Sequence, residues 1–208
     1  MYKTVVFDLD GTLLNTLTDL ADAGNRLCRK YGWPTHERQA YRYFVGNGIP
    51  KLVERLAPAD QRTPAVLEAA LADFKRDYGQ HLRDTTAPYP GIPEMLAKLK
   101  ANGVQLAVFS NKADALAKEV VKDYFGTQYF TIVRGQMTGV APKPAAEGTN
   151  ALLQALHADP ASTLYVGDSN VDVETAHNAN LPCCGAVWGF RTREELNAAG
   201  AEYLDRKS

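Results

Sequence analysis

The sequence has little that would staple the chain covalently or anchor it to a surface. Its 208 residues include three cysteines, Cys28, Cys183 and Cys184. An odd count with two cysteines adjacent gives no disulfide framework and lacks the paired spacing of a zinc site. Reduced thiols in a cytosolic protein are the expectation. No apolar stretch approaches the ~20 residues needed to span a bilayer. The N-terminus runs into Thr4-Val5-Val6-Phe7 and then Asp8, leaving no room for a long apolar signal core. Neither charge sign dominates: 23 basic and 24 acidic residues give a formal net charge of −1. That balance excludes a broad basic field for nucleic acid or an anionic membrane. The histidines, His36, His81, His157 and His177, are scattered without metal-ligand spacing. These absences predict a cytoplasmic protein whose partners include neither nucleic acid nor membrane; a monomer or homodimer is expected, a choice the sequence leaves open. With 45% hydrophobic residues, a sizeable core can be buried.

What is present is an alternation. Short apolar runs at 4–9, 104–109 and 163–166, with weaker ones at 129–133 and 184–187, read as strands that are apolar on both faces. Helical spacing separates them at 92–101, 113–124, 145–156 and 171–178. The fold class this predicts is α/β, a doubly wound, mostly parallel sheet. Residues 16–89 break the alternation. Leu17, Leu20, Leu27 and Tyr31 follow helical spacing, as do Leu67, Leu71, Phe74 and Tyr78, with two shorter helical segments between. The expectation is an all-helical domain at 16–89 inserted into a core formed by 1–15 and 90–208, with Pro90-Gly91 marking the return. Residues 205–208 read as a polar tail.

The most informative segment is Asp8-Leu9-Asp10-Gly11-Thr12 after the first strand. Side chains at i and i+2 of an extended segment point to the same side. Asp8 and Asp10 therefore project together from the carboxyl end of a strand, where open α/β sheets place ligands. Two neighbouring carboxylates allow divided labour: one attacks phosphorus while the other moves protons. A carboxylate attacking a phosphate meets like-charge repulsion, which a divalent cation with oxygen ligands, such as Mg²⁺, removes.

Three further segments stand at strand ends. Ser110-Asn111-Lys112 offers a hydroxyl and an amide to phosphate oxygens, and either side chain also suits a helix N-cap before Ala113. Lys143, between Pro142 and Pro144, is a cation on a stiffened backbone that can neutralise a phosphate. Gly167-Asp168-Ser169-Asn170-Val171-Asp172 is a second acidic strand end. There Asp168 can bind a cation directly, and Asp172 can act through water or orient Lys143.

In order, D-x-D-G-T-L, S-N, K-P and G-D-S-x-x-D resemble the signature of the haloacid dehalogenase superfamily, and of its phosphatases in particular. The resemblance implies that Asp8 is the nucleophile and Asp10 the general acid/base. It implies that Asp8, Asp168 and the backbone carbonyl of Asp10 hold Mg²⁺, supported by Asp172, and that Thr12, Ser110, Asn111 and Lys143 meet the phosphate. The helical insertion corresponds to the family's cap. Phe44-Val45-Gly46-Asn47-Gly48 and the stretch from Trp188 to Arg191 are similar to the phosphoglycolate phosphatase branch, which makes Gly46, Asn47 and Gly48 candidate substrate contacts. Two positions depart from that branch: Ala146 stands where a second proline is common, and Asn180 where a glycine is. Implied is hydrolysis of a small phosphate ester, 2-phosphoglycolate or a similar molecule, through an aspartyl-phosphate. A sugar phosphomutase or pyrophosphatase of the same superfamily shares these motifs. A non-enzymatic phospho-acceptor module shares the acidic cluster, serine and lysine, but normally has an adjacent acidic pair and about half this length.

Overall fold

The computed structural model describes residues 1–205. The strands are β1 (Thr4–Phe7), β2 (Leu14–Asn15), β3 (Ala87–Pro88), β4 (Gln105–Ala113), β5 (Phe130–Gln136), β6 (Thr163–Gly167), β7 (Cys183–Ala186) and β8 (Tyr203–Asp205). The helices are α1 (Leu17–Tyr31), α2 (Arg38–Phe44), α3 (Ile49–Leu56), α4 (Pro64–His81), α5 (Ile92–Ala101), α6 (Asp114–Phe125), α7 (Ala146–Leu156), α8 (Asn170–Asn178) and α9 (Arg193–Ala198). The chain divides into two compact units, one of residues Met1–Leu14 with Pro88–Ser208, the other of Asn15–Ala87.

The first unit is α/β. Its sheet has six strands in the order β5-β4-β1-β6-β7-β8, every pair parallel. All four residues of β1 are buried, as expected for a central parallel strand covered on both faces. One core cluster joins Val6, Ala107, Phe109 and Tyr165 of the sheet to Leu152, Leu153 and Leu156 of α7 and Val173 and Ala176 of α8. The register places Phe7 opposite both Val108 and Val166. Phe7, Val108 and Val166 therefore lie at one level of the sheet, and the polar residues just beyond them share one edge.

Two expectations at strand ends need correction. β4 does not stop at Phe109 but continues through Ser110, Asn111 and Lys112 to Ala113. Phe109 pairs with Arg134 and Ala113 with Gln136, so the extra residues form a bulge against Gly135. A Cβ on Gly135 would lie 2.4 Å from the Lys112 carbonyl oxygen, so the bulge needs glycine there. Local propensity hides this extension, because Ser, Asn and Lys are weak strand formers. At the other end, Asp205 is not tail but part of edge strand β8, paired with Ala186. The rest of the expected tail, 206–208, lies outside the described residues.

The second unit is helical. α1 buries Leu20, Gly24, Leu27 and Cys28. It closes at Gly32, whose φ of 67° is the left-handed conformation glycine adopts most readily. α4 opens on Thr63, whose hydroxyl accepts from the Val66 N–H, with Pro64 in the first turn. Gly24 lets the Tyr41 ring approach α1; a Cβ there would stand 2.5 Å from the ring. Asp19, in the first turn of α1, accepts from the backbone N–H and hydroxyl of both Thr85 and Thr86. Residues 16–89 were expected to hold no strand. The two crossings of the chain, β2 and β3, nevertheless pair as a short two-stranded sheet.

Candidate active site

Asp8 directly follows β1, and its N–H donates to the Val166 carbonyl at 2.9 Å. Lys143 reaches it from the loop before α7. Its ammonium lies 2.7 Å from Asp8 Oδ1 and 2.6 Å from Asp172 Oδ1, with the Tyr165 hydroxyl at 3.2 Å. The lysine side chain is 2% exposed, so these partners replace the water it has lost. Burial works against the Lys143 ammonium, but the carboxylates of Asp172 and Asp8 overcome it and hold the group protonated well above its ordinary range.

Asp168 follows β6. Its Oδ1 accepts from the Thr12 hydroxyl at 2.9 Å and its Oδ2 from the Phe190 N–H at 2.7 Å. Trp188 donates its indole N–H to the Thr12 carbonyl, so the loop after β7 braces the same turn. Glycines allow this crowding. A Cβ on Gly11 would stand 2.4 Å from Asp168 Oδ2, and one on Gly189 would stand 2.2 Å from Asp168 Cβ. On α8, Asp172 spends its Oδ2 on the N–H and hydroxyl of Ser169. This leaves Oδ1 for Lys143.

Asp8, Asp168 and Asp172 are the group among the described residues that could hold a metal ion; one ligand atom from each lies within 4.8 Å of the others. Three carboxylates against the one ammonium of Lys143 leave two negative charges when all are ionised. Burial first, and then the charge on Asp172, pushes the Asp8 carboxyl up to about 7, with Lys143 pulling the other way. Asp168 is raised well above its ordinary value by burial and by the charges on Asp172 and Asp8. A hard divalent cation relieves both effects, and an all-oxygen donor set suits Mg²⁺. The residues present fit that ion.

The other expected site residues have these partners. Ser110 is buried at the same edge, and its oxygen accepts from the Lys112 N–H, which leaves the hydroxyl proton available to a phosphate. Neither Ser110 nor Asn111 caps α6; the cap position is Ala113. Asn111 accepts from the Lys143 N–H at 2.8 Å and donates to the Lys143 carbonyl at 3.2 Å. Its side chain thus clamps the lysine loop. Thr12, expected to meet phosphate, is fully buried and gives its hydroxyl to Asp168. Asp10 turns to a residue the sequence reading passed over: Lys112 Nζ lies 2.9 and 3.3 Å from its two oxygens. In the helical unit, Gly46 and Gly48 have φ of 114° and 82°, and Asn47 Oδ1 accepts from Arg55. Arg55 also donates to the carbonyls of Tyr43 and Phe44, fixing the loop from one side. Lys51 pairs with Glu54 at the surface. Asn180, the departure from glycine, has φ of 55°, a left-handed conformation that asparagine tolerates.

The model of the haloacid dehalogenase-like hydrolase family matches residues 5–186. The chain belongs to the haloacid dehalogenase-like hydrolase family. Phosphoglycolate phosphatase of Thiobacillus denitrificans is 31% identical over 191 residues, which cover 90% of this chain and 84% of that protein. The plasmid-encoded phosphoglycolate phosphatase of Cupriavidus necator is 32% identical over 201 residues, covering 96% and 87%. A crystal structure of a candidate phosphoglycolate phosphatase from Lactobacillus delbrueckii subsp. bulgaricus superimposes with a TM-score of 0.93 at 28% identity, covering 99% of this chain and 95% of that one. The hydrolase is a phosphatase of this family. No helix among the described residues is long and apolar enough to cross a membrane.

Proposed function

We propose that this hydrolase is an Mg²⁺-dependent phosphomonoesterase that works through an aspartyl-phosphate on Asp8 and acts on 2-phosphoglycolate or a similar small organic phosphate. The observation that carries the reading is the buried cluster of Asp8, Lys143, Asp168 and Asp172 at the carboxyl ends of adjacent strands. Asp8 and Asp168, with the Asp10 carbonyl, are the proposed metal ligands, and Asp172 supports them by holding Lys143. When bound, Mg²⁺ neutralises the charge that keeps a carboxylate from a phosphate.

Asp8 then attacks phosphorus. The phosphorus–oxygen bond to the leaving group breaks as the new bond to the Asp8 oxygen forms, and Asp10 gives its proton to the departing oxygen. In the second step Asp10 takes a proton from water, whose oxygen attacks the same phosphorus. Orthophosphate leaves and the Asp8 carboxylate is restored. Lys143 and the Ser110 hydroxyl hold the phosphoryl oxygens throughout, since catalysis of this kind rests on positioning and charge neutralisation.

The 16–89 region is the proposed cap. Its Gly46-Asn47-Gly48 loop, with backbone amides on a glycine-rich turn, is assigned to the carboxylate of a two-carbon substrate. The names of the relatives support that substrate. Steady-state kinetics with a panel of phosphomonoesters in Mg²⁺ test it. The expected result is the highest kcat/KM for 2-phosphoglycolate, and a loop substitution such as Gly46→Val should lower that value more than the value for 4-nitrophenyl phosphate. A clear preference for pyrophosphate, a nucleotide or a hexose phosphate overturns the substrate and leaves the aspartate chemistry standing.

A further inference from the structure

Lys112, like Lys143, is a buried cation of the α/β unit. Its side chain is 3% exposed, less than the 14% of the Asp10 carboxylate it meets. A lysine is seldom buried to this degree without a partner that compensates for its lost hydration. Asp10 stands 102 positions away in sequence and presents both oxygens to the one ammonium, at 2.9 and 3.3 Å. Contact with both oxygens restricts rotation of the carboxylate as well as its distance.

The lysine is itself fixed. Its N–H donates to Ser110 Oγ, and its carbonyl lies against Gly135 in the bulge of β4. Three consecutive residues of one strand extension thus have separate tasks. Ser110 faces the phosphoryl edge, Asn111 clamps the Lys143 loop, and Lys112 holds Asp10. Lys143 already serves Asp8 and Asp172, so the site has one ammonium for the nucleophile and another for its neighbour.

We propose that Lys112 is a positioning residue that orients Asp10 for proton transfer. The proposal rests on the reading of Asp10 as general acid/base. A group that transfers protons must be held within hydrogen-bond reach of the reacting oxygen, and a displacement of about 1 Å costs on the order of 10²-fold in rate.

A double-mutant cycle tests it on the full chain in saturating Mg²⁺ with 4-nitrophenyl phosphate as probe. Lys112→Met keeps the length and apolar stem of the side chain and removes the charge. It should lower kcat by about 10–100-fold with little change in KM, and Lys112→Arg should recover part of the loss. In the Asp10→Asn background, Lys112→Met should cost almost nothing further, because the group it positions has gone. An equal fold-loss in both backgrounds, or a raised KM with kcat unchanged, would show that Lys112 acts on substrate directly, and would overturn the proposal. Near-normal turnover in Asp10→Asn alone would instead remove the acid/base reading. Should Lys112→Met not fold, as judged by thermal melting, Lys112→Gln takes its place in the same cycle.

Discussion

Each unit of the hydrolase buries a carboxylate, and the two burials differ in kind. Asp19 of the helical unit is 2% exposed and faces four neutral donors, two backbone N–H groups and two hydroxyls, from Thr85 and Thr86. No other carboxylate is among these partners. Asp8 of the α/β unit is buried as well, but it shares its surroundings with Asp168 and Asp172 and has one ammonium at hand. The first arrangement holds structure: the carboxylate ties the start of α1 to the segment where the chain leaves the unit. The second stores unfavourable charge that a divalent cation can relieve. Burial alone therefore does not mark a functional carboxylate; crowding with like charge does.

Replacing the proposed nucleophile should have the largest effect. Asp8→Asn should lower turnover by at least ~10³-fold. It should also raise the melting temperature of the metal-free protein at pH 8, because a neutral amide escapes the crowding. Thermal melts and phosphate release measured on the same preparation check both parts. A folded variant with near-normal turnover would end the assignment of Asp8.

Asp19→Ala should do the opposite. It should cost roughly 2–3 kcal/mol of stability by leaving buried donors unpaired, while Mg²⁺ binding to the α/β unit stays unchanged. Chemical denaturation and a Mg²⁺ titration separate the two effects. A lost Mg²⁺ response in the folded variant would erase the distinction between the two carboxylates.

The pH response follows from Asp8. Its carboxyl stands at about 7 in the metal-free fold against 3.8 for an ordinary aspartate. The folded protein thus keeps a proton that the unfolded chain releases. This contribution to stability is complete below about 4 and is lost as pH rises through about 7. An Mg²⁺ ion held by Asp8, as proposed, would compete with that proton. The rise in melting temperature caused by Mg²⁺ should therefore be larger at pH 8 than at pH 5.5. Equal shifts at both values would show that Asp8 is not a ligand. The smallest effect is expected at the surface, where Lys51→Ala breaks an exposed pair with Glu54 and should leave the melting temperature unchanged.

Much of this was legible along the chain because it depends on local pattern. Apolar runs followed by acids gave the parallel strands and the placement of Asp8 and Asp168 at their ends. Helical spacing gave α2 and α3 at residues 38–44 and 49–56 and α5 at 92–101. Short edge strands were missed, since two or three residues such as those of β3 and β8 carry no readable period and form only where a neighbouring strand offers open hydrogen bonds.

The sequence by itself determined which residue types stand at each strand end, because side-chain direction and turn chemistry are local. Only the tertiary structure decided what each of them holds. Lys112 finds Asp10 across 102 positions, Asn111 finds the Lys143 backbone across 32, and Thr12 finds Asp168 across 156. These pairings are set by the parallel register of β1, β4 and β6, by the bulge opposite Gly135 and by the close approaches at Gly11 and Gly189. All of these arise from packing between distant segments, so no local window of sequence contains them.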